Sequence, residues 1–279
     1  MTALAKLIDT VGETARDLWR RGWAERNAGN LSYRLSPEDL SGTELGEEPW
    51  QELGAHLPDV AGKAFLLTAT GSFFRNLEVR PGRGDETVQS RDLGVIEIDE
   101  SGSRYRALWG YQGGGGPTSE LPPHLRIHAA RIRTDQQKDR AILHTHPTNL
   151  IALTYALPLT THDLTRLLWE MHTECIVVFP MGCGFLDWRL PGSEEQARAT
   201  EKVFEKRTLA VWEQHGAVAI GPDFKTAFGL IETAEKAAEI YLIAAALGPI
   251  SCRLSTTQLT ALAEKFGVEP DPEILGQGG

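Results

Sequence analysis

The stretch Ala141-Ile142-Leu143-His144-Thr145-His146-Pro147 constrains this chain more than any other. The apolar triplet predicts a short buried strand, and Pro147 stops it because proline has no N–H to give to a ladder. Residues two apart on a strand point to one face, so His144 and His146 project side by side from a rigid end. Two parallel imidazoles are half of a metal site. The plainer alternative is a pair of polar side chains bonded to backbone or water at a strand end. The shared face weighs against it, as does the Pro147-Thr148-Asn149 turn that follows, of a kind found at the mouths of sites.

A third ligand has one good candidate. His215-Gly216 falls in the tight link between an apolar run at 209–212 and another at 217–220, both predicted strands. Glycine there permits strained backbone or the close approach of another group. Carboxylates are available from two places. Glu120 stands where a helix over about 122–134 begins, capped by Thr118 or Ser119. Its ordinary role would be to favour the helix dipole, and its functional role would be to face the histidine pair. Glu174 precedes the run 175–179, which reads as a buried strand. His124 and His128, four apart on the helix, have metal-ligand spacing but no glutamate between them in the H-E-x-x-H manner, so they read as one packed or exposed face.

The remaining pattern alternates helices and strands. Leu4, Leu7, Ile8, Val11, Ala15 and Leu18 predict an amphipathic helix over 3–22. Asn27-Ala28-Gly29-Asn30 follows, and could aim amides at an anion, although local chemistry is satisfied by a helix-to-strand turn into 31–35. Residues 64–68 predict a buried strand that feeds Thr70-Gly71-Ser72, a loop able to cradle phosphate without matching a nucleotide-binding motif. A hairpin is expected over 93–99 and 105–109, polar loops over 36–62 and 80–91, and helices over 149–156, 164–171, 191–206, 224–246 and 256–266, followed by a loose tail.

Composition narrows the classes. At 279 residues, 41% hydrophobic and 24% charged, the chain can bury a substantial core. A net charge of -10 argues against nucleic acid, whose phosphates need a basic face. No apolar run is long enough to span a membrane, and residues 1–16 lack a signal-peptide core. Three cysteines without CxxC spacing fit reduced thiols, and a cytoplasmic location is expected.

Together these pieces resemble the class II aldolase/adducin family. The likeness runs through Gly22-Trp23 with Glu25-Arg26-Asn27, Phe73-Phe74-Arg75-Asn76, Pro117-Thr118-Ser119-Glu120-Leu121-Pro122, His144 and His146, Thr173-Glu174-Cys175, His215-Gly216 and Thr233-Ala234-Glu235-Lys236. Within the family, Ser119-Glu120-Leu121-Pro122 and Thr173-Glu174-Cys175 are most like the branch that cleaves L-rhamnulose 1-phosphate to dihydroxyacetone phosphate and L-lactaldehyde. The resemblance implies a single α/β domain over 1–279, α/β/α layered around a mostly antiparallel central sheet. It implies a homotetramer with active sites at subunit interfaces. It also implies one Zn2+ per chain on His144, His146 and His215, with Glu120 as the catalytic carboxylate and Glu174 as a second one reaching a neighbouring subunit's site. Asn27, Asn30, Thr70, Thr118 and Ser119 match positions that receive the substrate phosphate. Two departures stand out: Thr70 where that branch more usually has serine, and no lysine near Ile243. Sister activities on the same scaffold are a fuculose-phosphate aldolase, a pentulose-phosphate 4-epimerase and a methylthioribulose-phosphate dehydratase. An adducin-like interaction module would be expected to lack the three histidines.

Overall fold

The computed structural model describes residues 1–77 and 91–276. The polar loop expected at 80–91 lies, apart from its last residue, outside the described residues. Nine strands form one sheet: β1 (Asn30–Leu35), β2 (Gln51–Glu52), β3 (Ala64–Thr68), β4 (Leu93–Ile98), β5 (Arg104–Gly110), β6 (Ala141–Thr145), β7 (Gly184–Leu186), β8 (Leu209–Trp212) and β9 (Gly216–Gly221). Their order across the sheet is β2-β5-β4-β3-β1-β6-β9-β8-β7. Every pairing is antiparallel except β7 with β8. The histidine strand β6 is therefore interior, between β1 and β9.

The sheet's two faces carry different helices, and strand alternation sorts the side chains between them. On one face, Ala141 and Leu143 of β6, Leu209 and Val211 of β8, and Ala217 and Ala219 of β9 join the largest apolar cluster. That cluster also holds Leu4, Ile8, Val11, Ala15 and Leu18 of the helix Ala3–Arg20, and Phe224, Leu230, Ile231 and Ala234 of the helix Phe224–Ala246. On the other face, Ile142, Ala210, Trp212, Val218 and Ile220 pack with Ile127 of the helix Leu121–Arg133 and Phe204 of the helix Glu194–Phe204. His144 shares its face with Ile142, so the imidazole pair is aimed into the layer of Leu121–Arg133. No helix among the described residues is long and apolar enough to cross a membrane.

Several expectations need correction. Residues 175–179 are not a strand: Thr173–Val178 is a helix, and the His172 side chain caps it by accepting the Glu174 N–H at 3.2 Å. A five-residue apolar run fits a buried helix turn as well as a buried strand, and here Cys175 and Ile176 face the core from a helix. The sheet edge is taken instead by β7, only three residues long and too short to show a period. Glu120 itself, not Thr118 or Ser119, occupies the N-cap of Leu121–Arg133, and its side chain makes no capping bond. The tail also contains a short helix, Pro272–Leu275. Asp271, fully buried, anchors its start by pairing with Lys206 at 2.8 Å and Arg207 at 2.9 Å.

Candidate metal centre

The end of β6 is pinned to a distant turn. The His146 N–H donates to the Trp23 carbonyl at 2.9 Å, and the Thr145 hydroxyl donates to the same oxygen at 2.5 Å. The third histidine arrives from the β8–β9 link, where Gln214 takes a left-handed φ of 55° and donates its N–H to Thr154 Oγ1 at 3.0 Å. β9 then pairs with β6, Thr145 opposite Ala217 and His144 opposite Val218. This register folds His215 over the strand end. A Cβ on Gly216 would stand 2.5 Å from the Thr145 carbonyl, 3.0 Å from His144 Cε1 and 3.0 Å from His146 Cδ2. Glycine at 216 thus answers a need for space, not for an unusual φ. The result is three imidazoles whose ligand atoms all lie within 4.8 Å of one another.

Hydrogen bonding fixes which nitrogens are free. His144 Nδ1 lies 2.9 Å from the Ala217 carbonyl, which can only accept, so Nδ1 carries the proton and Nε2 presents a lone pair. His146 Nδ1 lies 2.8 Å from Glu25 Oε1 and donates to it, again leaving Nε2 bare. A carboxylate or carbonyl behind each imidazole is the usual support of a metal-binding histidine. His215 stacks against Trp212 with ring centroids 5.2 Å apart. Its Nδ1 is buried without a hydrogen-bond partner among the described residues. Burial, and after it the neighbouring imidazoles, push the His215 pKa down to about 3. Burial, reinforced by His146, holds His144 well below the ordinary histidine value. Neutral imidazoles with bare Nε2 atoms crowded at one point are a donor set suited to a divalent cation.

Glu120 completes the group. It is buried, with Oε2 3.5 Å from His144 Nε2 and Oε1 3.6 Å from His215 Nε2. Asn30 Nδ2 donates to Oε2 at 2.8 Å, and the Glu120 N–H donates to Thr118 Oγ1 at 3.3 Å. A carboxylate facing the imidazoles of His144 and His215 can hold or move a proton beside a bound ligand while the three histidines hold a metal.

The other candidate residues fall into two places. Thr70, Thr118 and Ser119 share one rim beside Glu120: Ala69 bridges Pro117, the Thr70 N–H donates to the Gly116 carbonyl at 3.0 Å, and the Thr118 N–H donates to the Thr68 carbonyl at 2.9 Å. Thr70 and Ser119 are exposed and Thr118 is buried. Asn27 is exposed in the turn before β1, whereas the Asn30 side chain is engaged at both ends, with Glu120 and with His124. Glu174 is exposed in the first turn of Thr173–Val178. Sequence reasoning did not single out Glu25 as a site residue, nor Ser32, His124 and His128 as neighbours of the site. The signal was the match of an i, i+4 stripe, Glu120-His124-His128, to a strand stripe, Asn30-Ser32.

Comparisons with known proteins agree with this geometry. The family model described as Class II Aldolase and Adducin N-terminal domain matches residues 9–242. A rhamnulose-1-phosphate aldolase from Salmonella dublin is 42% identical over 257 residues, covering 91% of this chain and 90% of that protein. A rhamnulose-1-phosphate aldolase from Mannheimia succiniciproducens is 43% identical over 262 residues, covering 93% of each. Among solved structures, a sugar-phosphate aldolase from Thermotoga maritima aligns with a TM-score of 0.73 and 31% identity over 88% of this chain and 97% of that one. An l-fuculose-1-phosphate aldolase from Thermus thermophilus shares the fold, with a TM-score of 0.56 and 19% identity over 88% of this chain and 99% of that one.

Two outcomes are expected. Gly216→Ala should force the β8–β9 link away from β6 and lower metal retention after dialysis by at least about tenfold, whereas overpacking alone costs the fold only about 1–3 kcal/mol. Metal analysis of the folded variant checks this, and full retention would contradict it. The second outcome concerns His124, whose burial pushes its pKa down to about 4. The folded chain resists a proton that the unfolded chain accepts, so stability is full above about 6.5 and is lost as pH falls toward about 4. Urea unfolding of metal-free protein across that window should lose on the order of 3 kcal/mol from this group. The loss should be smaller in His124→Gln, and equal losses would remove His124 as the cause.

Proposed function

The chain belongs to the class II aldolase and adducin family, and we propose that it cleaves L-rhamnulose 1-phosphate to dihydroxyacetone phosphate and L-lactaldehyde. One observation carries the reading: the carboxylate of Glu120 stands 3.5 Å and 3.6 Å from Nε2 of His144 and of His215. In this reading His144, His146 and His215 would hold one Zn2+ per chain, which would supply Lewis acidity at the substrate's carbonyl. Glu120 handles the proton at C3. As the C3–C4 bond breaks, the C4 hydroxyl gives its proton to a base on the aldehyde side, the role given to Glu174. Its oxygen becomes the lactaldehyde carbonyl, and the electron pair stays on C3. Glu120, after taking a proton from solvent, delivers it to C3, and in the direction of synthesis each transfer reverses. Asn30 holds one oxygen of that carboxylate at 2.8 Å and keeps it aimed.

The phosphate falls to Asn27, Thr70, Thr118 and Ser119, with Asn30 at the inner edge. The support is the rim that Thr70, Thr118 and Ser119 share beside Glu120, and a chain too acidic to offer a broad basic face. Hydroxyls and backbone N–H groups then take the place of a lysine. The whole chain, 1–279, serves as one such domain in a homotetramer, with Glu174 reaching a neighbouring subunit's site, where it serves the aldehyde half. Glu174 is exposed on its own subunit, as that role requires. The setting is the cytoplasm, in keeping with three free cysteines.

A panel of ketose 1-phosphates tests the reading, with dihydroxyacetone phosphate detected by a coupled reduction. Rhamnulose 1-phosphate should be cleaved with the highest kcat/KM. Chelation should abolish turnover, and Zn2+ should restore it. Preference for fuculose 1-phosphate would reassign the substrate, and cleavage that survives removal of all metal would defeat the mechanism.

A further inference from the structure

Behind Glu120 lies a line of polar side chains with no place in the chemistry above. Asn30 and Ser32 sit two apart on β1, and His124 and His128 sit four apart on the helix Leu121–Arg133. Two strand residues advance about 6.6 Å and four helical residues about 6 Å, so the two stripes interdigitate. His124 Nε2 is 2.5 Å from Asn30 Oδ1, Ser32 Oγ is 2.7 Å from His124 Nδ1, and His128 Nε2 is 3.0 Å from Ser32 Oγ. All four residues are buried, Ser32 completely.

The direction of every bond follows from one fact: an ionised carboxylate only accepts. Asn30 must therefore turn its NH2 to Glu120, since the opposite orientation would set two acceptors face to face. Its Oδ1 then needs a donor, which makes His124 Nε2 the protonated nitrogen. His124 Nδ1 is left as an acceptor, so the Ser32 hydroxyl donates to it. Ser32 Oγ in turn accepts from His128 Nε2–H. The line ends at His128 Nδ1, a buried lone pair with no partner among the described residues, beside the ring of Phe65, whose centroid is 4.9 Å from that of His128. Both histidines must be neutral for this to hold. Burial pushes His124 down to about 4 and His128 well below the ordinary value, and the Arg34 charge adds to the latter.

We propose that Ser32, His124 and His128 are positioning residues for Glu120, a one-way line of hydrogen bonds that fixes the Asn30 amide and so holds the carboxylate aimed between the imidazoles. The proposal rests on the aldolase reading for its kinetic consequence only. Without the Ser32 hydroxyl, His124 Nδ1 is a buried acceptor with no donor, and the ring loses its hold on that side. The Asn30 amide is then backed less firmly, and the Glu120 carboxylate is aimed less sharply.

Ser32→Ala removes one buried oxygen and is the gentlest test; His124→Leu and His124→Gln form the second pair. In metal-loaded Ser32→Ala, kcat for the best ketose 1-phosphate should fall about tenfold, short of the ~100-fold that a 1 Å misplacement can cost. KM should stay within about twofold and metal content should be unchanged, since the Thr70, Thr118 and Ser119 rim and the three metal-facing imidazoles keep their own contacts. His124→Gln keeps an N–H for Asn30 and a carbonyl for Ser32, and should recover most of the kcat that His124→Leu loses. Independently of activity, 15N NMR of histidine-labelled protein should show His124 and His128 as Nε2–H tautomers, with the His124 Nδ1 resonance moving toward that of a free lone pair in Ser32→Ala. Wild-type kcat in Ser32→Ala, equal loss in His124→Gln and His124→Leu, or a His124 Nδ1–H tautomer in the wild type would each overturn the proposal. If the wild type cleaves none of the ketose 1-phosphates, the aldolase reading fails instead, and the tautomers alone decide whether the line exists.

Discussion

The pairing of β6 with β9 is the contact on which the rest depends. It sets Thr145 opposite Ala217 and His144 opposite Val218. It thereby brings a link more than sixty residues away in the chain onto the end of the histidine strand. A slip of one residue would send His144 to the other face of the sheet, among Ala141, Leu143 and the helix Phe224–Ala246. The interior position of β6, with apolar residues packed on both faces, makes that slip costly. The site thus inherits its precision from the sheet, and Gly216 supplies the last few tenths of an ångström by leaving out a side chain.

Burial is the second constraint, and it acts on charge. Three imidazoles crowded in a dry place cannot all be protonated, and those of His144 and His215 are driven to the neutral form. With the Nδ1 atoms of His144 and His146 tied to Ala217 and Glu25, their Nε2 atoms are the ring nitrogens left to face one point. Glu120 adds a carboxylate opposite them, held by Asn30 at 2.8 Å. Each layer of bonding has a direction because carboxylates and carbonyls only accept.

Much of this was legible in the sequence. The 2-residue period of His144 and His146, the apolar triplet before them and the His215-Gly216 link led directly to the three-histidine group, because each signal is local. The resemblance supplied the role proposed for Glu120, which helix chemistry alone could not separate from a dipole effect. The misses have physical causes. The run 175–179, expected as a strand, lies mostly in the helix Thr173–Val178, because a short apolar run suits a buried helix as well as a strand. The lines from Glu120 to His128 and from His146 to Glu25 join residues far apart in sequence, and no local rule marks them. The expected cap at Thr118 or Ser119 failed because Glu120 takes that backbone position while its side chain turns inward to Asn30.

The central claim is that Glu120 moves the proton at C3, and isotope exchange reads that step without needing the aldehyde. Dihydroxyacetone phosphate incubated in D2O with the metal-loaded protein should acquire deuterium at the carbon that forms the new bond. Glu120→Gln keeps the shape and the metal but removes the ionisable group. It should fold normally, retain metal, and lose exchange by at least about a hundredfold, the lower end of what a positioned acid–base group supplies. Exchange at the wild-type rate in a metal-replete Glu120→Gln would show that the proton travels through another group and that Glu120 is only the carboxylate at a helix end.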